Sequence, residues 1–419
     1  MALKRALGWG AAQSVLRMVL GFLSIKITAV YLGPAGLALV GQFGNFFTLM
    51  SGAFGTAINT AVVNLTAKAG DDGVDGLATL WGTAMRLALL IGLALCVLVA
   101  LASQPIAAWL LKDGAYWPAI VAGAASIPLS MAGFVITGGL NGQKRISVLG
   151  VIGIVSSLLG SLVFVPLCYW FGVWGGLLAF AVSNCCVLLT ALGVLARERT
   201  AALAPFGGRW DPAVVRSLWA FFPMLLVHSI TEPIAPLMVR DALVVQLGAT
   251  TAGFWQAALR LSDMYSLVLT TAVSMYLMPH LAGIKDEREF GRELWRTMGK
   301  VAGLTAVGAL AIYLLRDLVI AIVFTRQFVP VRELLGYLFL GNVLKMAAWP
   351  LRMALVIKLR AKWYIVLEIV VAVLQIALTH AWLPLLGAQA ATAAYAAAYG
   401  LALLVLLYSN KGYLYENWR

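Results

Sequence analysis

Charged residues are scarce in this sequence, and long polar stretches are scarcer still. Only 11% of the 419 residues are charged, 62% are hydrophobic, and the mean hydropathy is +0.93. A soluble domain of this size needs enough polar surface to cover its core, so the composition excludes a soluble globular protein. The apolar runs are continuous rather than alternating, which excludes a membrane β-barrel.

Cysteines and acidic side chains are also few. The four cysteines are Cys96, Cys168, Cys185 and Cys186, and all lie within apolar runs. We interpret them as small hydrophobic residues in packed helices, and we expect no metal and no cofactor other than a coupling H⁺ or Na⁺. The excess of basic residues gives a net charge of +13. In a chain of membrane-length helices this excess is an insertion signal, so we expect no nucleic-acid partner.

Twelve apolar stretches are long enough to cross a bilayer, at about 20 residues for ~30 Å of hydrocarbon. We predict an all-α polytopic membrane protein with spans near residues 8–31, 37–66, 77–101, 119–140, 147–169, 175–196, 216–245, 251–280, 298–324, 334–357, 363–383 and 389–409. Lys and Arg are concentrated in the loops on the side of the N-terminus, which predicts that both termini are cytoplasmic. Interior cations and the lack of a small-residue cleavage site indicate that the first span is not a cleaved signal peptide.

Four predicted outer turns share a glycine, and their spacing indicates an internal repeat. Gly172 follows Gly33 by 139 residues, and Gly387 follows Gly248 by the same number. The resulting offset of 215 residues also aligns the basic turn 144–145 with a second basic turn. We therefore predict twelve helices in two six-helix lobes, related by a pseudo-two-fold axis along the membrane normal.

The polar linkers suggest where these lobes begin and end. The predicted division is an N-lobe at 1–196, a cytoplasmic linker at 197–215, a C-lobe at 216–410 and a cytoplasmic tail at 411–419. The two largest outer loops, 102–118 and 316–333, each have room for one short amphipathic helix. Rocking of two such lobes about a central cleft is a route to alternating access.

Basic and amide side chains interrupt the apolar spans, and we predict that they bind an anion. A cation at the centre of a span costs about 2.5–3.5 kcal/mol on the insertion scale, which an anionic head group would offset. Pyrophosphate suits Arg and Lys, which bind it through charge-assisted hydrogen bonds. The predicted substrate-binding residues are Arg17, Lys26, Gln42, Asn45, Arg86, Arg260, Lys345 and Arg352.

Lys345 and Arg352 are the better candidates in this set. They are seven residues apart on one helical face, and two cations cannot neutralise each other. Other members have structural alternatives. Arg86 can snorkel to the interface, the amides can serve helix packing, and Arg260 can pair with Asp263.

Acidic and imidazole groups within the spans predict a coupling site for H⁺ or Na⁺. His228 and Glu232 are four residues apart on one face of a proline-rich span, and Asp263 and Glu368 lie in two later spans. A structural hydrogen bond is the alternative for the first pair. Arg240, near the predicted outer end of the same span, is expected to be an interfacial anchor.

Three stretches carry a family resemblance. They read YLGPAGLALVGQF at 31–43, GFWQAALRLSDMYSLVLTTAVSMYLMPHL at 253–281, and, within 314–369, RDLVIAIVFTRQF and GNVLKMAAWPLRMALVIKLR. With these motifs the chain resembles the Wzx-type flippases of O-antigen and enterobacterial common antigen, above all their lipid III subgroup. These flippases belong to the multidrug/oligosaccharidyl-lipid/polysaccharide exporter superfamily.

The resemblance implies a flippase without covalent chemistry, and therefore not an enzyme. Its cargo would be an undecaprenyl-pyrophosphate-linked oligosaccharide, carried from the cytoplasmic to the periplasmic leaflet of the bacterial inner membrane. A polysaccharide polymerase and a chain-length regulator are the partner proteins it suggests. It also implies basic positions at Arg17, Lys26 and Lys345, acidic positions at Asp263 and Glu368, and, by position only, matches of Arg260 and Glu232 to related lipid II flippases.

Two other functions are less well supported. A multidrug or cation antiporter would be expected to have an acidic cleft for cationic cargo, which the basic residues of spans 1 and 10 argue against. A membrane polysaccharide polymerase or ligase would be expected to have a large outer loop with clustered acids or histidines, and the sequence has none.

Overall fold

The computed structural model describes residues 16, 19–68, 73–198, 208–219, 222–263, 266, 284, 286–357 and 361–409, and every regular element within them is helical. The helices are α1 (Val19–Tyr31), α2 (Gly33–Lys68), α3 (Gly73–Leu101), α4 (Ser103–Leu110), α5 (Trp117–Gly142), α6 (Ile146–Glu198), α7 (Pro212–Trp219), α8 (Phe222–Leu247), α9 (249–263), α10 (Glu287–Leu314), α11 (Arg316–Val323), α12 (Leu335–Ile357), α13 (Ala361–Leu386) and α14 (Gln389–Ser409).

The outer faces of the long helices are apolar. In the described part of the chain seven helices are long and apolar enough to cross a membrane. The number is eight if the short 3₁₀ helix Arg326–Glu333 and the following Leu335–Leu355, which meet at a bend of 56°, are counted as one span. Leu162 and Val307 are exposed by 68% and 67% on two of these helices. Leucine and valine faces of this kind are stable against lipid and unstable against water. The chain is therefore a multi-pass membrane protein, as predicted.

Most predicted spans coincide with one helix in the described residues, but several boundaries differ, and α10 begins at Glu287 rather than near 298. The predicted span 298–324 is wrong at its outer end, because α10 ends at Leu314 and the chain turns at Leu315 before α11 begins. The span 216–245 is divided between the short amphipathic α7 and the longer α8. The two predicted spans 147–169 and 175–196 are the two parts of α6.

The glycines that indicated a repeat all have a positive φ angle. Gly33, Gly172, Gly248 and Gly387 have φ angles of 64°, 55°, 85° and 53°. Gly172 breaks α6 with a ψ of −132°, and Gly248 and Gly387 directly follow α8 and α13. Glycine adopts positive φ without the steric conflict of a Cβ atom, which explains its use at all four turns. The shared geometry supports the predicted equivalence of these turns.

The two longest outer loops each contain a short helix, as the sequence predicted. α4 and α11 are eight residues long, and each follows a long span after a single non-helical residue. The inner residues of both are buried, namely Ala107 and Leu110 in α4 and Ile320 and Val323 in α11.

Helix contacts divide the chain into two compact units. The N-terminal unit comprises residues 1–32 and 39–234, and the C-terminal unit comprises 33–38 and 235–419. The division by contacts falls within α8, and the lobe boundary at the linker 197–215 stays a prediction. In the N-terminal unit α5 packs on α3 and α6, and in the C-terminal unit α12 packs on α10 and α14.

The cysteines lie inside helices, as predicted. Cys168 and Cys186 are buried, and Cys96 and Cys185 are half-buried. The Cys186 thiol lies 3.4 Å from the carbonyl oxygen of Val182, one turn earlier. This is the behaviour of small residues packed in helices.

Candidate functional site

The predicted binding residues of the N-terminal unit lie on three helices. Lys26 on α1, Asn45 on α2 and Arg86 on α3 are half-buried, and Gln42 on α2 is 3% exposed. Arg17 lies outside the described residues. Whether these side chains bind substrate stays a prediction.

Neutral polar groups connect the helices of the N-terminal unit. The Asn59 amide nitrogen donates to the carbonyl oxygen of Phe134 at 2.8 Å and to the Thr137 hydroxyl at 3.2 Å. The hydroxyl groups of Thr56 and Ser229 lie 2.5 Å apart, which ties α2 to the first part of α8. Hydroxyl and amide groups of this kind hold membrane helices together without placing a charge in the apolar region.

A serine-lined groove lies between α1 and α6. It has a volume of about 270 Å³ and is lined by Gly21, Ser24, Ser157, Ser161 and Ser183, among others. Ser24 and Ser183 donate to carbonyl oxygens of their own helices at 2.9 and 2.7 Å, which leaves their oxygens able to accept hydrogen bonds. The groove can therefore receive hydrogen-bond donors such as sugar hydroxyls.

A polar chain crosses three helices of the C-terminal unit. The Asn342 amide on α12 donates to the Ser262 hydroxyl on α9 at 2.6 Å, and the Tyr395 hydroxyl on α14 donates to the Asn342 side-chain oxygen at 2.9 Å. Tyr395 packs edge-on against Tyr399 with a centroid separation of 4.9 Å. Asn342 is only 3% exposed, so the hydrogen bonds it makes are buried inside the unit.

Lys345 lies one turn beyond Asn342, beside these tyrosines. Its ammonium group is 5.5 Å from the centroid of the Tyr399 ring, and the residue is half-buried. A cation–π contact at this distance is worth about 0.5–1 kcal/mol at exposed sites and more when desolvated. Lys345 can thus present its charge to an anion while an aromatic ring supports it.

Arg352 differs from the sequence-based interpretation, which left its charge uncompensated. Its Nη1 lies 2.5 Å from Oε1 of Glu368 on α13, and the two side chains are only 11% and 9% exposed. Lys345 and Arg352 were expected to act alike, but Lys345 lies over the Tyr399 ring, whereas Arg352 forms an ion pair with Glu368. Glu368, predicted to couple an ion, is the partner of Arg352.

Arg240 is not the interfacial anchor that the sequence suggested. It is fully buried, donates to the side-chain oxygen of Gln256 and lies 5.5 Å from the centroid of the Trp255 ring. Two adjacent charged residues, Arg240 and Asp241, near the end of a span are typical of a membrane interface. The burial of Arg240 depends on the packing of α8 on α9, which the sequence does not show. Arg260, one turn after Gln256, is half-buried and close enough for its charge to act on Arg240.

The predicted coupling residues do not share one environment. Glu232 on α8 and Asp263 on α9 are exposed, whereas Glu368 is 8% exposed. His228 lies on α8, but its side chain is outside the described part of the structure. Among the described residues, no three His, Cys, Asp or Glu side chains come together as metal ligands.

Sequence reasoning missed several members of the C-terminal networks. Tyr395 and Tyr399 are spaced by one helical turn in an alanine-rich helix, a pattern that could have singled them out. Ser262 and Gln256 carry no comparable signal, because their partners come from other helices.

Comparison with known proteins places the chain in a family of polysaccharide biosynthesis proteins. The sequence profile of a family described as "Polysaccharide biosynthesis protein" matches residues 75–333. Lipid III flippases of Escherichia coli (strain K12) and Shigella flexneri are each 28% identical to the chain over 400 residues, which cover 95% of it and 96% of theirs.

Solved structures of exporters have the same fold. An inward-facing multidrug resistance MATE family transporter of the MOP superfamily superposes with a TM-score of 0.80 at 14% identity, covering 96% of this chain and 98% of that one. The lipid II flippase MurJ, in an inward closed conformation, gives 0.73 at 14% identity, covering 96% and 87%. The resemblance drawn from the sequence and the predicted fold class are both confirmed.

Proposed function

The chain belongs to the polysaccharide biosynthesis protein family, and we propose that within it the protein is a flippase for a lipid-linked oligosaccharide. The observation that carries this proposal is the 28% identity to two lipid III flippases over 95% of the chain. A likeness over 95% of the chain is not the likeness of one shared module. The relatives are flippases and transporters, and the proposed movement of cargo involves no covalent chemistry.

The charges of the described spans favour an anionic head group as cargo. Lys26, Arg86, Arg260 and Lys345 are half-buried cations on four different helices. Half-buried cations in a membrane protein are stabilised when an anion approaches them, and pyrophosphate supplies several acceptor oxygens. We propose that the head group is an undecaprenyl-linked pyrophosphate and that Lys345 binds it directly.

A rocking motion of the two lobes, driven by an ion gradient, is proposed to carry the head group from the cytoplasmic to the periplasmic leaflet. Glu232 and Asp263 are carboxylates on consecutive spans, whereas Glu368 is buried and paired with Arg352. We propose Glu232 and Asp263 as the coupling site for this reason.

The proposed location is the bacterial inner membrane, with both termini in the cytoplasm. The excess of Lys and Arg in the loops on the side of the N-terminus supports this orientation. A polysaccharide polymerase and a chain-length regulator are proposed partners, because they would act on glycan delivered to the outer leaflet.

Transport by the purified protein in liposomes tests the proposal. The cargo is a polyprenyl-pyrophosphate glycolipid with a fluorescent sugar, and its transbilayer movement is followed by the access of a membrane-impermeant quencher. We expect protein-dependent movement that an imposed pH or Na⁺ gradient accelerates. Transport of a cationic dye without movement of the glycolipid would identify the protein as a drug antiporter instead.

A further inference from the structure

An apolar groove in the C-terminal unit is lined by residues of the two helices that carry the Arg352–Glu368 ion pair. It has a volume of about 240 Å³. Its lining comes from α12, α13 and α14 and is almost wholly aliphatic, for example Leu355, Leu367, Val371, Leu401 and Ala402. The groove is thus shaped for a hydrocarbon chain.

The way three helices pack creates this groove. α12 and α13 each pack along α14 but scarcely touch each other, so a channel remains between them with α14 as its floor. Small residues on that floor, Ala398 and Ala402, deepen the channel. Val366, Val370 and Val405 are 52%, 47% and 45% exposed, so the groove opens to the surface that faces lipid.

The ion pair joins α12 and α13, the two walls of the groove, which make few other contacts with each other. Arg352 is one turn from Leu355 on one wall, and Glu368 adjoins Leu367 on the other. A buried ion pair contributes little net stability, because desolvation of the charges cancels most of their attraction. Two aliphatic side chains would close the walls equally well. The charges therefore suggest a role in binding.

We propose, building on the flippase assignment, that the groove binds the isoprenoid tail of the lipid-linked substrate and that Glu368 holds Arg352 until the substrate pyrophosphate replaces it. A pyrophosphate diester carries two negative charges and offers Arg352 bidentate hydrogen bonds, so it competes with a single carboxylate. An ordinary phospholipid phosphodiester has one negative charge and competes less well. This difference in charge selects the polyprenyl pyrophosphate over the bulk lipid.

Photolabelling of the full-length protein in nanodiscs tests the tail site. The probe is a polyprenyl-pyrophosphate glycolipid with a diazirine in its tail, and labelled peptides are identified by mass spectrometry. We expect labelling of α13 and α14 along the groove. Unlabelled polyprenyl pyrophosphate should compete at least fivefold better than the same excess of phosphatidylglycerol. Equal competition by the two lipids would show that the groove takes any membrane lipid and would overturn the proposal.

Two leucines of α14 supply a matched pair of variants. Leu401 lines the groove and is 46% exposed, whereas Leu404 is 64% exposed and lies outside it. Leu401→Trp should fill the groove and lower the labelling severalfold, and Leu404→Trp should leave it unchanged. Equal labelling of both variants would refute the groove as the tail site. This test is independent of the ion pair, because neither variant changes Arg352 or Glu368.

The ion pair is tested by opposite responses. Glu368→Gln removes the competitor for Arg352 and should raise labelling by the pyrophosphate probe, whereas Arg352→Gln should lower it. A purely structural pair would give losses in both variants, which would overturn the exchange. Translocation by the unlabelled wild type is measured in parallel. Movement of the glycolipid with labelling elsewhere contradicts only the tail site, and a lack of movement contradicts the flippase assignment.

Discussion

The two units of the protein connect their helices with different chemistry. In the N-terminal unit the cross-helix bonds described above join neutral groups, such as the Asn59 amide and the Thr137 hydroxyl. In the C-terminal unit they include three cations, each with a partner on a different helix: Arg240 with Gln256, Lys345 with Tyr399, and Arg352 with Glu368. Neutral bonds hold helices together, whereas charged groups can also exchange partners with an ionic ligand. These three cations of the C-terminal unit are therefore candidates for exchange with an ionic ligand.

The largest expected effect comes from the proposed cargo contact of that unit. Lys345→Ala should slow glycolipid translocation by roughly 10–100-fold, because a hydrogen bond to a charged group is worth about 1.5–3 kcal/mol. The folded protein should survive, since the contact with Tyr399 is weak. The rate is measured in the liposome assay, with thermal unfolding as a check on folding.

Lys345→Arg is the matched control, because it keeps the positive charge and should retain most of the activity. Lys26→Ala is the counterpart in the N-terminal unit and should cause a smaller loss if the C-terminal unit makes the main contact. An unimpaired Lys345→Ala variant would remove this residue from the binding site.

The next prediction compares two large, fully buried side chains with a polar tip, one from each unit. Arg240 and Trp81 are 0% and 1% exposed, and each donates a hydrogen bond, to Gln256 and to Thr66 respectively. Arg240→Met leaves a buried acceptor unsatisfied and should cost about 1–3 kcal/mol of stability. Trp81→Phe removes one neutral bond and should cost about 0.5–1.5 kcal/mol.

Thermal unfolding in detergent measures both variants against the wild type. A smaller loss of stability for Arg240→Met than for Trp81→Phe would show that the hydrogen bond of the buried cation stabilises the fold no more than a neutral one. The charged contacts of the C-terminal unit would then matter for ligand binding and not for stability.

Glycine turns offer a comparison at the level of the backbone. A Cβ atom at Gly172 or Gly387 would meet no atom within 4 Å, so replacement by alanine tests the φ angle alone. A left-handed conformation costs about 1–2 kcal/mol for a residue with a Cβ atom. Gly172 also has a ψ of −132°, far from the small left-handed helical region. Gly172→Ala should therefore lower the unfolding temperature more than Gly387→Ala, and the reverse order would contradict this account.

The sequence predicted the helices and their turns well because these depend on local signals. Continuous apolar runs set the extent of α2 and α14, and the equal spacing of glycines such as Gly33 and Gly172 indicated the repeat that their shared φ angles support. The bend at Leu315 lies where the predicted span 298–324 runs into the predicted outer loop 316–333, and no glycine or proline marks the end of the helix. Local composition therefore predicts spans better than the breaks inside them.

The networks could not be predicted, because they depend on which helices pack together. Arg352 and Glu368 are sixteen residues apart and meet only through the arrangement of α12, α13 and α14. The burial of Arg240 likewise requires Trp255 of the next helix. Identifying ionisable residues in apolar runs was enough to nominate Arg352 and Glu368 separately. Their pairing, and hence their proposed exchange, is tertiary information.

The smallest expected effect compares one neutral hydrogen bond from each unit. Thr56 and Ser229 form an exposed bond at 2.5 Å, and Asn342 and Ser262 form a buried bond at 2.6 Å. Coupling between polar groups on membrane helices averages about 0.6 kcal/mol and reaches about 1.7 kcal/mol.

A double-mutant cycle with Thr56→Val and Ser229→Ala should give a coupling near or below the average. A cycle with Asn342→Ala and Ser262→Ala should approach the upper value, since water does not compete for the buried pair. Equal couplings would mean that the polar chain of the C-terminal unit is as accessible to water as the N-terminal bond. In that case Lys345, one turn beyond Asn342, would meet its anion in a hydrated cleft where the charge contributes less to binding.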